Sequence, residues 1–480
     1  MSDRSAFLEK RTSFLLILLS GLALVCRVIC LGRKSLTGDE SVTYLLAKAD
    51  WHKFWQEISS HELNMLPYYT LVRGWIHLGT SEFMLRLLSA LFAVTTVPLL
   101  YLLARRFFGR DVALVASLLL AVNTGSISYS QEARAYTMAM FVCVLAALFM
   151  LEALEPTSAN NREMWGTIGF IAVAAFAVYV HFFSLFVLVA FEIALMTYPG
   201  IWLQWKRWLG AGLALALLIV PAVWYMKTHN VGQLDWIPPL SASTISKVPT
   251  LWAGSPAALV FYAVFWVVAV WLGWKQSERG SRKRWTYWFL LSWLCVPLAI
   301  TLLLSLRHSV LMDRYMLISM PPAVLLAADG LWRLRRARVA LLVVVVLISI
   351  GANARLYMRR SLHDGRSASQ FVFQNAACGD SVVFVAASGS LPFQYYRDRT
   401  NLLRHCSESK GLRFRTVEEG VSTDSPNIWI VTMGPRLLSP EVQDEFERAK
   451  QLIPSTYALA AEHSYEAFRV MEYSKKANAE

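Results

Sequence analysis

Charged residues are scarce in this chain, at 16% of 480 positions, whereas hydrophobic residues make up 56% and the mean hydropathy is +0.43. A water-soluble chain of this length needs more charge to hydrate its surface. The composition therefore excludes a soluble globular protein and predicts a polytopic membrane protein. The net charge of +13 does not indicate a nucleic-acid partner, because much of the basic charge falls in short loops between apolar runs, as membrane topology requires.

Several signatures of other functions are missing as well. The polar C-terminal part has no Gly-x-Gly-x-x-Gly and no Walker motif, so it does not predict a nucleotide site. The chain has no Asp-x-Asp motif of the kind that holds a nucleotide diphosphate through a metal ion. No histidines and carboxylates have a spacing typical of a metal site. A nucleotide-dependent or metal-centred activity is therefore not indicated by any motif.

Cysteine is also rare, with six in the chain. Four of them lie in apolar segments, where we expect packing roles: Cys26, Cys30, Cys143 and Cys295. Cys378 and Cys406 lie in the polar C-terminal part, and they could pair if that part faces an oxidising compartment.

Eleven apolar runs are long enough to span a bilayer as helices. The first run follows Lys10 and Arg11 and is not followed by a cleavage site, so we expect a retained first helix and a cytoplasmic N-terminus. The runs are residues 12–31, 83–103, 112–127, 135–154, 165–180, 182–198, 209–226, 256–274, 286–304, 316–332 and 338–352.

The distribution of basic residues predicts the orientation of these helices. With a cytoplasmic N-terminus, four loops rich in Lys and Arg all fall on the cytoplasmic side. The long loops at 32–82 and 227–255 then lie on the extracytoplasmic face, where we expect functional surface. We therefore predict a multi-pass protein of the plasma (inner) membrane. The basic loops are residues 105–110, 206–207, 275–284 and 333–338.

An odd number of spans places the C-terminal part outside the cytoplasm. Its pattern of alternating helices and strands predicts a small α/β domain, suited to docking or to positioning an acceptor. We predict two domains, a transmembrane domain at 1–352 and a soluble extracytoplasmic α/β domain at 353–480. The predicted elements of the second are helices at 367–377 and 440–452 and strands at 381–385 and 427–432.

Two adjacent carboxylates, Asp39 and Glu40, stand a few residues after the first apolar run. Thr37 with Glu40 three residues later fits a capping box, so we expect a helix to begin here and to continue through Tyr44. Two interpretations stay open. The acids could only complement the positive end of the helix, or Asp39 could stay ionised there and take a proton from an attacking hydroxyl.

Two further groups are predicted at the same face. Glu132 and Arg134 could pair structurally, or Arg134 could bind phosphate, because a guanidinium fork matches phosphate oxygens. Arg314, beside Tyr315, could anchor the chain at lipid headgroups or could bind the phosphate of a donor. The set of candidates is completed by residues of the first outer loop, by Tyr136 and by His181 at an outer turn, although a lone histidine is more often a packed or capping residue. Those of the loop are His61, Asn64, Pro67, Tyr68 and Tyr69.

One reaction suits these groups on the outer face of a membrane. Displacing phosphate from a sugar carbon needs a base for the incoming hydroxyl and cations for the leaving phosphate. A lipid-phosphate sugar reached from the bilayer fits, with a glycan, lipid or protein as acceptor. A transporter or lipid flippase with an outer binding domain is an alternative, although such proteins usually place polar features near the bilayer midplane. A non-catalytic scaffold is another.

The ordered set of motifs resembles the C-type (GT-C) membrane glycosyltransferases, in particular the protein mannosyltransferases of glycosyltransferase family 39 and the lipid A aminoarabinose transferase. The resemblance covers about the first two thirds of the chain. The motifs that carry it are Gly38-Asp39-Glu40, Asn64-Met65-Leu66-Pro67-Tyr68-Tyr69, Glu82 with Leu85-Arg86-Leu87-Leu88-Ser89, Arg105-Arg106-Phe107-Phe108-Gly109-Arg110, Tyr129-Ser130-Gln131-Glu132-Ala133-Arg134-Ala135-Tyr136, Tyr179-Val180-His181 and Asp313-Arg314-Tyr315-Met316.

The resemblance implies a GT-C fold and an inverting transferase that uses a polyprenyl-phosphate sugar. It implies Asp39 as the base, Glu40 and Glu132 as acidic partners, and Arg134, with Arg314, as a ligand of the donor phosphate. Residues 64–69 depart from the commoner His-Pro-Pro-Leu-Tyr-Tyr pattern, so His61 is only a candidate for the histidine's part. Some relatives use a divalent cation near the acidic pair, which leaves Mg²⁺ or Mn²⁺ open. The proposal needs Asp39 and Arg134 to share one cavity.

Overall fold

The computed structural model describes residues 2–155, 161–229, 236–359, 364–400, 411–421, 424–433, 440–466 and 468–476. Two compact units divide the chain. The first contains Met1–Leu31, Asp50–Trp75 and Leu85–Met358, and the second contains Gly32–Ala49, Ile76–Met84 and Arg359–Glu480. Two pieces of the predicted first outer loop thus group with the C-terminal part. The domain boundary at 352 stays a prediction, although the last long apolar helix continues to Met358.

The described residues between 2 and 358 are mostly helical, because long apolar segments can enter a bilayer only if their backbone hydrogen bonds close within the segment. The helices are α1 (Ser2–Val28), α2 (Gly38–Lys48), α3 (Trp51–Glu57), α4 (Leu66–Trp75), α5 (Glu82–Phe108), α6 (Arg110–Val122), α7 (Thr124–Ser130), α8 (Tyr136–Leu154), α9 (Arg162–Val180), α10 (Ser184–Leu195), α11 (Trp205–His229), α12 (Ala242–Ala253), α13 (Pro256–Lys275), α14 (Arg282–Ser305), α15 (Met320–Arg333) and α16 (Arg338–Met358). A π-helical turn at Ile58–Glu62 and 3₁₀ turns at Ile201–Gln204 and Asp313–Ser319 join them.

Each of the eleven predicted apolar runs contains a helix. Within the described ranges, nine helices are long and apolar enough to cross a membrane, and the bent pair α6 and α7 makes a tenth. The eleventh, α10, has 12 residues and covers only about 18 Å of a bilayer core that is roughly 30 Å thick. The run at 182–198 is therefore shorter as a helix than its apolar composition predicts.

The bend between α6 and α7 amounts to 53° and has a defined cause. Asn123 caps α7, because its side-chain oxygen accepts from the Ser126 N–H at 2.9 Å. The carbonyl groups at the end of α6 are satisfied by Arg27, which is fully buried and donates to Leu120 at 3.2 Å and Ala121 at 3.0 Å. Helix ends in a membrane need such partners. The bend directs the chain into the segment that carries Glu132 and Arg134.

The packing role expected for the membrane cysteines is only partly correct. Cys143 is buried, and Cys26 and Cys30 are partly buried, but Cys295 is exposed on α14. A membrane helix can turn apolar side chains outward, since the surrounding lipid is as apolar as a protein core. Position in an apolar run therefore does not distinguish a packed cysteine from a lipid-facing one.

The C-terminal part of the second unit is the predicted α/β domain. Within its described residues, five strands form a sheet of order β2-β1-β3-β5-β4, with β1 parallel to β2 and β3, and β5 antiparallel to β3 and β4. Val383, Ile430, Phe446 and Met471 pack in its core. The elements are α17 (Gly365–Asn375), β1 (Ser381–Phe384), α18 (Ser390–Arg399), β2 (Arg413–Thr416), β3 (Asn427–Met433), α19 (Pro440–Gln451), β4 (Tyr457–Ser464) and β5 (Phe468–Lys475).

The two predicted strands and two predicted helices of this domain are confirmed, whereas α18, β2 and the antiparallel pair β4 and β5 were not expected from the pattern. Cys378 is disulfide-bonded. Cys406 lies outside the described residues, so the pairing of these two cysteines stays a prediction.

Candidate active site

The acidic segment of the second unit has the predicted capping box. The Glu40 N–H donates to Thr37 Oγ1 at 3.3 Å, and Glu40 Oε2 accepts from the Thr37 N–H at 2.9 Å. Helix α2 therefore begins at Gly38, as expected. Glu40 is only 1% exposed and its carboxylate serves the cap, whereas Asp39 is half-buried in the first turn. The carboxyl group of Asp39 therefore lies at the positive end of the helix dipole.

The start of this segment is held by the C-terminal part of the same unit. Tyr396 in α18 accepts from the Leu36 N–H at 3.1 Å and donates to Glu82 Oε1 at 3.1 Å. Arg366 in α17 also donates to Glu82, at 2.8 Å, and to the Gly32 carbonyl at 3.1 Å. Burial and the negative charge of Glu82 raise the pKa of Tyr396, so its hydroxyl keeps its proton. The chain entering α2 is thereby fixed by two helices of the α/β domain.

The other end of α2 is held in the same way. Lys48 forms a 2.7 Å ion pair with Asp398 in α18. The Tyr44 ring meets Tyr395 edge-on, with ring centroids 4.9 Å apart. Burial, followed by the charge of Asp398, raises the pKa of Tyr44 to about 12. Contacts at both ends therefore make α18 a positioning element for the helix that carries Asp39.

We expect Arg366→Met to destabilise the second unit by about 1–3 kcal/mol, because it leaves the carboxylate of Glu82, whose side chain is 13% exposed, buried without its cation. Thermal unfolding of the purified protein measures this. The matched control is Lys450→Met, which breaks the more exposed pair with Glu447 and should be near neutral. Adding Glu82→Gln to Arg366→Met should recover part of the loss. Equal unfolding temperatures for the two single variants would show that Arg366 does not hold this segment.

In the first unit, Arg134 is fixed at both its side chain and its backbone. Its Nη1 donates to the Tyr69 hydroxyl at 2.9 Å, and Tyr69 in turn donates to Glu62 Oε2 at 2.9 Å. Burial raises the pKa of Tyr69 well above its usual value, so it acts as a neutral hydroxyl. Ser89 Oγ donates to the Arg134 carbonyl at 2.9 Å. Because its one proton is used there, Ser89 Oγ accepts from the Tyr68 hydroxyl, which is 2.7 Å away. Helices α4 and α5 thus set the position of the guanidinium.

A second guanidinium, that of Arg314, lies among aromatic rings. Its Cζ is 5.6 Å from the centroid of Tyr136, 5.6 Å from that of Tyr315 and 5.1 Å from that of Trp236. Cation–π contacts of this length stabilise a cation without neutralising it. Tyr129, at the end of α7, hydrogen-bonds Asp313 and lies within electrostatic range of Glu132 and Arg314. The segment that carries Glu132 and the turn that carries Arg314 therefore belong to one cluster.

His181 is 2% exposed and lies within electrostatic range of both arginines. Its ring centroid is 5.7 Å from Tyr136 and 5.2 Å from Tyr315. Burial, and then the charges of Arg134 and Arg314, lower the pKa of His181 to about 3. The imidazole is therefore neutral. Because Nδ1 accepts from the Phe183 N–H at 3.3 Å, the proton belongs on Nε2, and that buried atom has no hydrogen-bond partner among the described residues.

The structure thus brings six of the candidates together within the first unit: Tyr68, Arg134, Tyr136, His181, Arg314 and Tyr315. Glu132 is linked to this group through Tyr129. The backbone of His61 lies in the π-helical turn, but its side chain lies outside the described part. Asp39 and Glu40 belong to the second unit. That Asp39 and Arg134 share one cavity therefore stays a prediction.

Sequence reasoning missed Glu62 and did not distinguish the role of Tyr69 from that of Tyr68. Tyr69, rather than its neighbour Tyr68, contacts the Arg134 side chain, and Glu62 anchors Tyr69. Both tyrosines stand in the motif at 64–69. Adjacent residues on a helix point about 100° apart, so only one of the two can face Arg134, and the sequence does not show which. Over the described ranges, no group of three or more His, Cys, Asp or Glu side chains is arranged to hold a metal ion.

Comparison with known proteins identifies relatives of this architecture. The model of the dolichyl-phosphate-mannose-protein mannosyltransferase family matches residues 67–225, which include Tyr69, Arg134 and His181. The crystal structure of ArnT from Cupriavidus metallidurans, in the apo state and bound to undecaprenyl phosphate, superposes with a TM-score of 0.64 at 14% identity, covering 95% of this chain and 97% of ArnT.

A more distant match is the oligosaccharyltransferase of Archaeoglobus fulgidus, with a TM-score of 0.55 at 12% identity, covering 96% of this chain and 73% of that protein. That structure is a complex with zinc and sulfate. The related AglB structure contains an inhibitory peptide and a dolichol phosphate. No curated protein sequence matches the chain significantly.

Proposed function

Because this chain has the fold of the C-type membrane glycosyltransferases, in agreement with the resemblance of its motifs, we propose that it transfers a sugar from a polyprenyl phosphate to an acceptor hydroxyl. The reaction is that of a hexosyl- or pentosyltransferase. The acceptor is a glycan, a lipid or a protein hydroxyl. The structural relatives support the donor class, since ArnT is bound to undecaprenyl phosphate and AglB to a dolichol phosphate.

The cluster around Arg134 and Arg314 carries this proposal. Two guanidinium groups near one buried imidazole N–H match the free oxygens of the donor's phosphodiester and of the phosphate monoester that leaves. The aromatic rings of Tyr136 and Tyr315 lower the local polarity, which strengthens the attraction between an arginine and a phosphate. His181 is neutral and can donate from Nε2 without adding charge. A phosphate held by these groups is stabilised as the leaving anion, so the reaction needs no strong general acid.

Asp39 is the proposed base. In a single displacement, the acceptor oxygen attacks the anomeric carbon, Asp39 takes the hydroxyl proton and the bond to the lipid phosphate oxygen breaks. The configuration at the anomeric carbon then inverts. Glu40 keeps Asp39 at the first turn of α2 through the capping box. Glu132 is an acidic partner of the arginine cluster. Whether a divalent cation, Mg²⁺ or Mn²⁺, binds near Asp39 and Glu40 is left open.

The location of the reaction is also part of the proposal. The chain is a multi-pass membrane protein. We place its N-terminus in the cytoplasm, and the candidate site and the α/β domain on the extracytoplasmic face of the inner membrane, because the basic loops at 105–110 and 333–338 favour the cytoplasmic side. On that face a lipid-linked donor is accessible from the bilayer. The α/β domain, with boundaries proposed at 353–480, would position the acceptor.

The direct test uses purified protein in lipid nanodiscs with a panel of radiolabelled undecaprenyl-phosphate hexoses and pentoses. The expected result is time-dependent release of undecaprenyl phosphate with one sugar, together with label on the acceptor fraction. Nuclear magnetic resonance of the product then reports whether the anomeric configuration inverts. The proposal would be contradicted if the protein turned over nucleotide sugars but none of the lipid-linked sugars in the panel. Retention of configuration would contradict only the single displacement.

A further inference from the structure

A cavity of the first unit lies among α5, α8 and α9 and has a volume of about 680 Å³. It is distant from the candidate active site. Tyr136 and Glu152, near the two ends of α8, are about 24 Å apart at a rise of ~1.5 Å per residue, and only Glu152 lines this cavity. The cavity therefore does not form part of the arginine cluster described above.

The lining of the cavity is divided into an apolar wall and a basic rim. Leu99, Leu102 and Phe149 belong to the wall. Three arginines and one glutamate form the rim: Arg105, Arg106, Arg162 and Glu152. Arg106 pairs with Glu152 at 2.5 Å. In the described part of the chain, Arg105 and Arg162 have no ion-pair partner, so the rim has an excess of positive charge.

The surface around the cavity has the character of a lipid-facing surface. Trp165 lines the cavity and is 63% exposed, and Leu102 is 48% exposed. Met164 and Ile168, on the same helix as Trp165, are each 47% exposed. In a membrane protein such side chains contact acyl chains, and tryptophan concentrates at the boundary with the headgroups. The cavity therefore opens where a lipid headgroup and the start of its acyl chains are present.

One wall of the cavity is made by two helices that pack closely at glycines. A Cβ on Gly166 would be 2.6 Å from the Ala153 nitrogen, and one on Gly169 would be 2.5 Å from the Phe149 ring. The glycines therefore let α8 and α9 pack in direct contact along this wall.

We propose that this cavity binds an anionic phospholipid of the bilayer, with its phosphate at Arg105 and Arg162 and an acyl chain along Leu99, Leu102 and Phe149. Basic pockets between membrane helices bind anionic headgroups, and arginine forks suit phosphate oxygens. A soluble phosphate would leave the apolar wall unoccupied. The site is independent of the proposed sugar transfer, so either proposal can fail without the other.

Native mass spectrometry of the delipidated full-length protein, titrated with phosphatidylglycerol and separately with phosphatidylcholine, tests the proposal. For the wild type we expect one tightly bound phosphatidylglycerol and at least tenfold weaker phosphatidylcholine binding. The variant Arg105→Gln with Arg162→Gln should weaken phosphatidylglycerol binding at least tenfold. The matched control, Arg335→Gln with Arg336→Gln, removes the same charge from two exposed arginines outside the cavity and should leave the tight site unchanged.

A second variant, Leu99→Trp, fills the apolar wall and keeps every charge. It should also weaken phosphatidylglycerol binding, which separates a built site from general attraction to positive charge. This variant also replaces the double-arginine variant if that one does not fold. Unchanged tight binding in Leu99→Trp, or equal losses in the two double-arginine variants, would overturn the proposal, because the lipid would then bind through surface charge alone.

Discussion

Asp39→Asn is expected to lower kcat for sugar transfer about 10²–10⁴-fold, the range that a general base contributes. Asparagine has nearly the same shape as aspartate but cannot take a proton from the acceptor hydroxyl. The start of α2 should survive, because the capping box is made by Thr37 and Glu40 and not by Asp39. The measurement is kcat of the purified variant with the lipid-linked donor, beside its thermal unfolding temperature.

Two control variants separate the base from its surroundings. Asp50→Asn changes another acid at a helix start, where its side chain caps α3 by accepting from the Lys53 N–H at 2.9 Å. Because asparagine caps equally well, this variant should keep full activity. Glu40→Gln keeps the capping box and should cost about tenfold or less.

The same experiment decides between the two interpretations of the acidic pair. If Asp39 only complements the helix end, Asp39→Asn costs about 0.3–1 kcal/mol of stability and leaves kcat unchanged. A stable, fully active Asp39→Asn protein would therefore remove the base from the mechanism, although the fold and the arginine cluster would be unaffected.

The helices were predictable because the bilayer permits few alternatives. A long apolar run in a bilayer must close its own backbone hydrogen bonds. The apolar composition of each of the eleven runs is therefore enough to predict a helix there. The capping box was also predictable, since Thr37 and Glu40 are three residues apart and their contact is local. Both features depend on information within one short segment.

The features that could not be predicted depend on distant partners. The bend at Asn123 needs Arg27, which lies on another helix and supplies donors to the end of α6. The grouping of Gly32–Ala49 with Arg359–Glu480 depends on contacts such as Arg366 with Glu82. No local pattern reports such a pairing. The roles of Tyr68 and Tyr69 differ for the same reason, because their partners Ser89 and Arg134 are on other segments.

Arg134→Ala is expected to lower kcat/KM for the lipid-linked donor about 10²–10³-fold, because it removes a charged donor from a largely dry site. Arg134→Lys should recover only a small part of that loss. Lysine keeps the charge, but a single ammonium group cannot bind a phosphate with two parallel hydrogen bonds and also hold the Tyr69 hydroxyl. Steady-state kinetics with varied donor, together with inhibition by undecaprenyl phosphate, measure both variants.

Inhibition by undecaprenyl phosphate measures phosphate binding separately from sugar transfer, because this lipid has no sugar. If Arg134 binds the phosphate, the inhibition constant of undecaprenyl phosphate rises in Arg134→Ala in parallel with the loss of kcat/KM. Tyr69→Phe removes one anchor of the guanidinium but leaves its charge, so about a tenfold effect is expected. Arg355→Lys, at an exposed arginine of α16, should change nothing.

Combining Asp39→Asn with Arg134→Ala tests whether the base and the phosphate ligand serve one reaction. Side chains that act as a unit on one bound substrate are strongly non-additive. The double variant should therefore lose less activity than the product of the two single losses, because a donor whose phosphate is badly held cannot use the base. Fully multiplicative losses would mean that Arg134 affects a step separate from proton removal, such as entry of the lipid, and the proposed displacement would have to assign the leaving phosphate to other cations.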